Sequence, residues 1–180
     1  GKLLTELGLP APTRAFTDPF NSEILRETSY DLDSLHNFVS SNLPQLVSDQ
    51  KTAFDVIVDA VQNNRGGLFF LDAPGGTGKT FLINLILAYV RQGGQIVIAV
   101  ASSGIASTLL AGGRTAHSAF KLPLDINRSE HPVCGISRSS AKGRMLQQCR
   151  AIIWDECTMA NKKSLEALDR TLRDLRGNDS

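Results

Sequence analysis

The sequence predicts an α/β fold in which helices cover both faces of a parallel β-sheet. Short apolar runs at residues 67–72, 95–101 and 151–156 alternate with helical patterns along the chain. The runs show no polar alternation, and strands that are apolar on both faces are typical of parallel sheets buried between helices. A chain of 180 residues with 42% hydrophobic residues is long enough for one such domain.

The first 46 residues are predicted to form an N-terminal arm and one helix. Residues 1–28 contain prolines and little periodicity, which favours an irregular lead-in. Apolar residues then recur at helical spacing behind a candidate N-cap at Ser29 or Asp31. We therefore expect the sheet-containing domain to cover residues 47–180.

Helices are predicted before, between and after the strands. One apolar face predicts a helix over residues 48–62, with Ser48 or Asp49 as its N-cap. Residues 80–92 are apolar nearly all round, as in a helix buried against a sheet. Further patterns predict a short helix over 103–113, ending in glycines, and a helix with one leucine stripe over 161–177. Between these two helices, the stretch 121–143 is polar and broken by prolines, and we expect it to be a surface excursion.

Composition limits the function classes. The net charge of +1 gives no general support to nucleic-acid binding. Cys134, Cys149 and Cys157 are odd in number and lack CxxC spacing, so reduced thiols are expected in place of zinc ligands or disulfides. No apolar run reaches the ~18 residues of a membrane span, and no signal peptide is seen, so we expect an intracellular protein without a membrane anchor. The start at Gly1 and the end just after a helical pattern favour a fragment.

A glycine-rich segment, LDAPGGTGKT, lies between the first apolar run and the apolar helix. Its spacing is that of a phosphate-binding P-loop, with Ala73 in place of the first glycine. Without Cβ atoms, backbone N–H groups can converge on phosphates, while Lys79 reaches the β- and γ-phosphates and the Thr80 hydroxyl binds magnesium. A plain glycine turn is the alternative. The residues predicted to bind ATP in this segment are Ala73, Pro74, Gly75, Gly76, Thr77, Gly78, Lys79, Thr80 and Phe81.

Two acids end the third apolar run, in IIWDE. Asp155 is predicted to hold magnesium, as the Walker-B aspartate of P-loop proteins does. Glu156 is predicted to orient and deprotonate the attacking water. A helix cap is the alternative for this pair. Together with Lys79, these acids form the predicted catalytic set.

Three segments together resemble the Pif-type (petite integration frequency) DNA helicases of superfamily one, with most similarity to the Pif-like and Helitron-associated branch. The segments are FLDAPGGTGKT, SSGIASTLLAGGRTAHSAFKLP and RAIIWDECTMANKKSLEALDRTLRDLR, and the resemblance covers the chain from about residue 28 onward. It implies the first RecA-like domain of a P-loop NTPase that couples ATP hydrolysis to five-prime to three-prime translocation on single-stranded DNA. It also implies a monomer that acts in DNA repair, recombination and telomere maintenance, in the nucleus or mitochondria of a eukaryote.

The resemblance further assigns roles to single residues. Gln50 matches the glutamine that hydrogen-bonds the adenine edge, although a solvated glutamine is the alternative. Two segments match DNA-contacting motifs, with a loop-to-helix cap and a structural histidine as the alternatives. The residues expected to bind DNA are Ser102, Ser103, Gly104, Thr115 and His117.

The resemblance is incomplete. The γ-phosphate-sensing motif III is expected just past residue 180, and no segment matches the family's arginine motifs. We therefore expect residues 1–180 alone to bind nucleotide weakly and to be nearly inactive. A nucleotide or small-molecule kinase, and a nucleotide- or DNA-binding fragment without turnover, are the rival interpretations.

Overall fold

The computed structural model describes residues 19–177 of the chain. Four helices come first, and strands and helices follow in the mixed order expected for an α/β domain. In chain order these elements are α1 (Pro19–Thr28), α2 (Leu32–Asn42), α3 (Ser48–Gln62), α4 (Lys79–Gln92), β1 (Val97–Ala101), α5 (Gly104–Thr108), β2 (Arg114–Thr115), α6 (Ala116–Phe120), α7 (Ala141–Gln148), β3 (Ala151–Asp155) and α8 (Lys162–Arg176). Over residues 19–177, no helix combines the length and hydropathy that a membrane span requires.

The sheet has three parallel strands in the order β2–β1–β3. Ala101, the last residue of β1, lies opposite both Thr115 and Asp155, so all three strands end at the same edge. Alternate residues of β1 enter two separate cores: Ile98 and Val100 pack with α6, α7 and α8, and the intervening residues pack with α2, α3 and α4. The predicted parallel sheet flanked by helices is confirmed.

The predicted strand at residues 67–72 is wrong. This segment belongs to no helix or strand, and Leu68 and Phe70 are 99% and 68% exposed. A strand needs a neighbour for its backbone hydrogen bonds. Within residues 19–177, the sheet has three strands, and this segment pairs with none of them. The apolar run therefore lacks the partner that would bury it.

The N-terminal residues 19–28, predicted to be irregular, form α1; residues 1–18 lie outside the described part. The helix is held by side chains that its sequence does not reveal. The Glu27 carboxylate, 1% exposed, binds the Arg114 guanidinium and lies 3.9 Å from Arg91. Glu23 binds Arg114 at 3.1 Å and Lys142 at 3.4 Å. We call these five residues the ion-pair cluster.

The ion-pair cluster joins α1 to three distant elements, namely α4, β2 and α7. Burial raises the pKa of Glu27, and the charges of Arg114 and Arg91 oppose that rise. The Arg91 guanidinium also stacks over the Tyr30 ring, 4.3 Å from its centroid. Because buried charges are tolerated only when paired, α1 is an integral part of the fold.

The prediction of a surface excursion at residues 121–143 is also wrong. Four of its residues enter the core beside β1, and Pro132 is among the most buried side chains. Side chains of α8 make hydrogen bonds to the backbone of this segment. The Thr171 hydroxyl accepts from the Cys134 N–H (2.9 Å), and Arg170 donates to the Pro132 carbonyl (3.1 Å). Its apolar residues follow no helical or strand period, which is why the pattern was not visible. They are Leu122, Ile126, Cys134 and Ile136.

Helix ends agree with the sequence at one of the predicted caps and differ from it at two other places. Asp31 caps α2, as predicted, by accepting hydrogen bonds from Asp33 and Ser34. The N-cap of α3 is Val47 and not Ser48 or Asp49. The helix predicted over 103–113 ends at Thr108. The two-residue strand β2, Arg114–Thr115, was not predicted.

The cysteines allow a direct test of the core. Cys134 and Cys149 are buried, burial raises the pKa of Cys149 to about 12, and Cys157 is half buried. Because the thiolate is the reactive form, we expect only Cys157 to react rapidly with a disulfide reagent in the native protein at pH 8. Absorbance of the released thiolate would measure this, with Cys157→Ser as the control. Rapid native labelling of Cys149 would contradict the packing of β3.

Candidate functional site

The glycine-rich loop, residues 73–78, leads directly into α4. Gly76 and Gly78 have φ of +78° and +83°, which residues with a Cβ rarely adopt. The Cβ position of Gly75 or Gly76 would meet nothing within 4 Å, so the backbone is open to a ligand there. At Gly78 a Cβ would lie 2.8 Å from Nε2 of Gln50. The loop therefore requires glycine for backbone conformation and for contact with Gln50.

Lys79 closes the glycine-rich loop on itself. Its Nζ donates to the carbonyl of Ala73 and to that of Pro74 (2.9 Å), and the Thr77 hydroxyl also donates to Pro74 O (2.8 Å). An ammonium has three donors, and two are used within residues 19–177. The third is available to an anion inside the loop. Thr80 and Phe81 follow, half buried, in the first turn of α4.

Gln50 connects the start of α3 to the glycine-rich loop. Its Nε2 donates to the Thr77 carbonyl (2.9 Å), and its Oε1 accepts from the Val47 N–H (3.2 Å). The second hydrogen of Nε2 is free for a further acceptor. The structure thus places Gln50 against the loop, and its contact with adenine stays a prediction.

The direction of α4 relates the loop to the sheet. Residues 93–96 alone join α4 to β1, and Arg91 in the last turn of α4 donates to the Val97 carbonyl at the start of β1 (3.4 Å). The helix packs on β1 and runs back along it. Its first turn, with Lys79 and Thr80, therefore faces the edge where the strands end. In open α/β sheets, ligands bind outside this edge.

The predicted acids lie at the same edge. Asp155 ends β3, and its Oδ1 accepts a hydrogen bond from the Glu156 N–H (3.0 Å). Glu156 has φ of +54°, a left-handed conformation uncommon outside glycine, and its side chain is exposed. Residues in such conformations cluster at functional sites.

The two predicted DNA segments begin where β1 and β2 end. Ser103 caps α5 by accepting from the Ala106 N–H (3.1 Å), and Thr115 caps α6 by accepting from the Ser118 N–H (3.3 Å). Gly104 and His117 are exposed. By the register of the sheet, both segments begin at the same edge as Asp155.

Ser102 lies differently from its neighbours. Its hydroxyl donates to the Glu156 carbonyl (2.6 Å) and accepts from the Trp154 indole N–H (3.0 Å). The sequence analysis did not identify Trp154 as part of the site. Its only signals were that it is the single tryptophan of the chain and that it directly precedes Asp155.

Basic residues of α8 divide into two groups. Lys163 and Arg176 donate to backbone carbonyls of neighbouring segments, and so does Arg170. Lys162 and Arg173 are exposed and pair with acids one turn away on the same helix. The first group is structural, and the second lies on a solvated face of the helix.

Comparison with known proteins assigns the sequence to a family. Residues 45–180 match the PIF1-like helicase family. The ATP-dependent DNA helicase Pif1 of Psychrobacter sp. (strain PRwf-1) is 31% identical over 130 residues, which cover 72% of the chain and 19% of the relative. RRM3 of Saccharomyces cerevisiae, an ATP-dependent DNA helicase, is 24% identical over 87% of the chain and 21% of the relative.

One of the relatives is a viral protein. The ATP-dependent DNA helicase dda of enterobacteria phage T4 is 28% identical over 71% of the chain and 29% of its own length. The chain thus spans less than a third of each of these relatives. Because the family match covers most of the sequence, including the glycine-rich loop and both acids, this P-loop NTPase chain belongs to the PIF1-like helicase family.

Proposed function

We propose that this chain is the first RecA-like domain of an ATP-dependent DNA helicase, and that it hydrolyses ATP to move along single-stranded DNA. The observation that carries the proposal is the common edge: the first turn of α4, the two acids and both DNA segments lie at the ends of the parallel strands. The family match, which starts at residue 45, supports a domain over residues 47–180. The names of the relatives support the reaction.

The glycine-rich loop would hold the triphosphate. A Cβ at Gly75 or Gly76 would meet nothing within 4 Å, so phosphates could approach the backbone N–H groups there, and the remaining donor of Lys79 would bind the β- and γ-phosphates. Gln50 would use its remaining N–H hydrogen to read the nucleobase. Glu156 would accept the proton of the attacking water, since its carboxylate is exposed at the strand ends.

Magnesium would be held by Thr80 and Asp155. Within the described residues, no group of three His, Cys, Asp or Glu side chains forms a metal site. Magnesium at phosphate sites is usually bound by one or two carboxylates, with waters and substrate oxygens completing the shell, so this donor set fits. The ion would neutralise charge on the β- and γ-phosphate oxygens. Oδ2 of Asp155 is the oxygen not engaged by the Glu156 N–H.

Single-stranded DNA would lie across the ends of β1 and β2. The exposed Gly104 and His117, and the hydroxyls of Ser103 and Thr115, are suited to phosphate contact without base readout. Both donors of Ser102, its hydroxyl and its N–H, are bound to the strand-end residues Glu156 and Asp155. Its part in DNA binding would therefore be indirect.

The wider biology follows from the family. Translocation from five-prime to three-prime by a monomer, and service in repair, recombination or telomere maintenance, are proposals for the protein that carries this chain. Its substrate would place it in a DNA-containing compartment, the nucleus or mitochondria if the source is a eukaryote.

The function is tested by phosphate release from magnesium–ATP with and without oligothymidylate, using the protein as encoded by its gene. Turnover that rises with DNA is the expected result. DNA-independent transfer of the γ-phosphate to a small acceptor would indicate a kinase. Nucleotide binding without turnover would indicate a binding module.

The Lys79→Ala variant is expected to bind a magnesium–ATP analogue about 10–100-fold more weakly, because a charge-assisted hydrogen bond contributes roughly 1.5–3 kcal/mol. Isothermal titration measures the affinity. Lys162→Ala is the matched control, since that side chain is 89% exposed and lies on α8. Equal affinity of Lys79→Ala and the wild type would remove the loop from the proposed site.

A further inference from the structure

The Ser102 hydroxyl lies between two residues of the β3 strand end. It accepts the Trp154 indole N–H at 3.0 Å and donates to the Glu156 carbonyl at 2.6 Å. The Ser102 N–H also donates to the Asp155 carbonyl (3.3 Å). A hydroxyl has one hydrogen to donate, so that of Ser102 is fully used. We call this arrangement of Ser102, Trp154 and Glu156 the Ser102 bridge.

The Ser102 bridge fixes the backbone of Glu156 from one side. Its φ of +54° is left-handed, which costs a residue with a Cβ about 1–2 kcal/mol. Such a conformation persists where surrounding contacts over-determine it. Here the Glu156 carbonyl is held by Ser102, and its N–H by Oδ1 of Asp155. Because backbone angles set the direction of the side chain, these two hydrogen bonds determine where the Glu156 carboxylate points.

The Ser102 bridge also connects to the second DNA segment. The Trp154 ring packs against Phe120 with a centroid separation of 5.9 Å. Phe120 is fully buried and ends α6, the helix that Thr115 caps and that carries His117. Ser102 itself directly precedes Ser103 and Gly104. Both predicted DNA segments are thus joined to Glu156 through contiguous contacts within hydrogen-bond or packing distance.

We propose that Ser102 is a positioning residue, which couples DNA bound at the ends of β1 and β2 to the orientation of Glu156. This rests on the proposed function. The Glu156 backbone has two arrangements in this proposal. It is left-handed when the Ser102 bridge is made, and it relaxes to an ordinary conformation when the bridge is broken. DNA that fixes residues 102–104 favours the first arrangement and so stimulates ATP hydrolysis.

The test compares Ser102→Ala with Ser102→Thr in the protein as encoded by its gene. Loss of one hydrogen bond to Glu156 is expected to lower kcat of DNA-stimulated ATP hydrolysis about tenfold. The KM for ATP stays unchanged, and the Kd for a labelled oligothymidylate, measured by fluorescence anisotropy, rises by no more than about tenfold, because coupling between two sites is reciprocal. Ser102→Thr keeps the hydroxyl and restores most of kcat. Thermal melts verify folding.

A second variant and a spectroscopic readout test the other end of the Ser102 bridge. Trp154→Phe removes the N–H donor while retaining an aromatic ring against Phe120, and is expected to lower kcat in the same way. With a non-hydrolysable ATP analogue, oligothymidylate is expected to shift Trp154 emission in the wild type and not in Ser102→Ala. Emission from other tryptophans is subtracted with Trp154→Phe.

Three outcomes would overturn the inference. If Ser102→Ala keeps the wild-type kcat, the Ser102 bridge does not act on Glu156. If it weakens oligothymidylate binding and keeps kcat at saturating DNA, Ser102 is a direct DNA contact. If DNA does not stimulate ATP turnover by the wild type, the proposed function fails, and the coupling fails with it. This result is distinguishable from the first two because it is seen in the wild type and not in a variant.

Discussion

Replacement of Glu156 by glutamine is expected to reduce ATP turnover by roughly 10²–10⁴-fold, the usual contribution of a general base. Glutamine has nearly the same size and accepts hydrogen bonds, yet it cannot take a proton from water. The Glu156 carbonyl bond to Ser102 and the N–H bond to Asp155 involve the main chain, so the substitution leaves both in place. Nucleotide affinity is therefore expected to stay unchanged. Steady-state phosphate release and titration with an ATP analogue measure the two quantities separately.

Glu130→Gln is the matched control for this variant, because Glu130 is exposed and belongs neither to the glycine-rich loop nor to the ends of the strands. It is expected to behave as the wild type. A loss of kcat below tenfold in Glu156→Gln would mean that the Glu156 carboxylate takes no proton in the rate-limiting step. A large loss of affinity would mean that it binds the nucleotide or its metal.

Removal of the buried Glu27 carboxylate should destabilise the fold strongly. Glu27→Ala leaves the guanidinium groups of Arg91 and Arg114, 3% and 7% exposed, without their shared acid. Breaking a buried ion pair by removing one partner costs about 3–5 kcal/mol. Urea denaturation of the purified protein measures the change in the free energy of unfolding. Hydrogen exchange in α1 would show whether that helix opens first.

Glu23→Ala serves as the comparison for Glu27→Ala. The Glu23 side chain is 23% exposed, and Arg114 keeps Glu27 when Glu23 is removed. Because solvent-accessible ion pairs contribute about 0–1 kcal/mol, the effect should be several-fold smaller. Equal effects of the two substitutions, or less than about 1 kcal/mol for Glu27→Ala, would show that α1 is bound by its packing and not by the ion-pair cluster.

The sequence was sufficient where local chemistry decides the structure. The apolar periodicity of α4 and α8, the run of β1 and the cap at Asp31 all depend on residues close in the chain, and each was predicted. The glycine-rich loop was also predictable from the sequence. A phosphate-binding loop explains its glycines, lysine and threonine together, whereas a plain turn explains only the glycines.

Long-range contacts explain what was missed. Helix α1 depends on Arg91 and Arg114, more than sixty residues away in the chain, and the segment 121–143 depends on side chains of α8. No local pattern marks either. The Ser102 bridge joins residues 52 to 54 positions apart, so sequence motifs predicted a DNA contact for Ser102 and nothing about Glu156.

The apolar segment at residues 67–72, which pairs with no strand of the sheet, affects the tendency of this chain to aggregate. Leu68, Phe69 and Phe70 are exposed together, with backbone N–H and C=O groups that no strand engages, and the outer edge of β3 is unpaired within the described residues. Exposed apolar segments and open sheet edges are both templates for pairing between molecules. Residues 1–180 expressed alone should therefore self-associate through added strands.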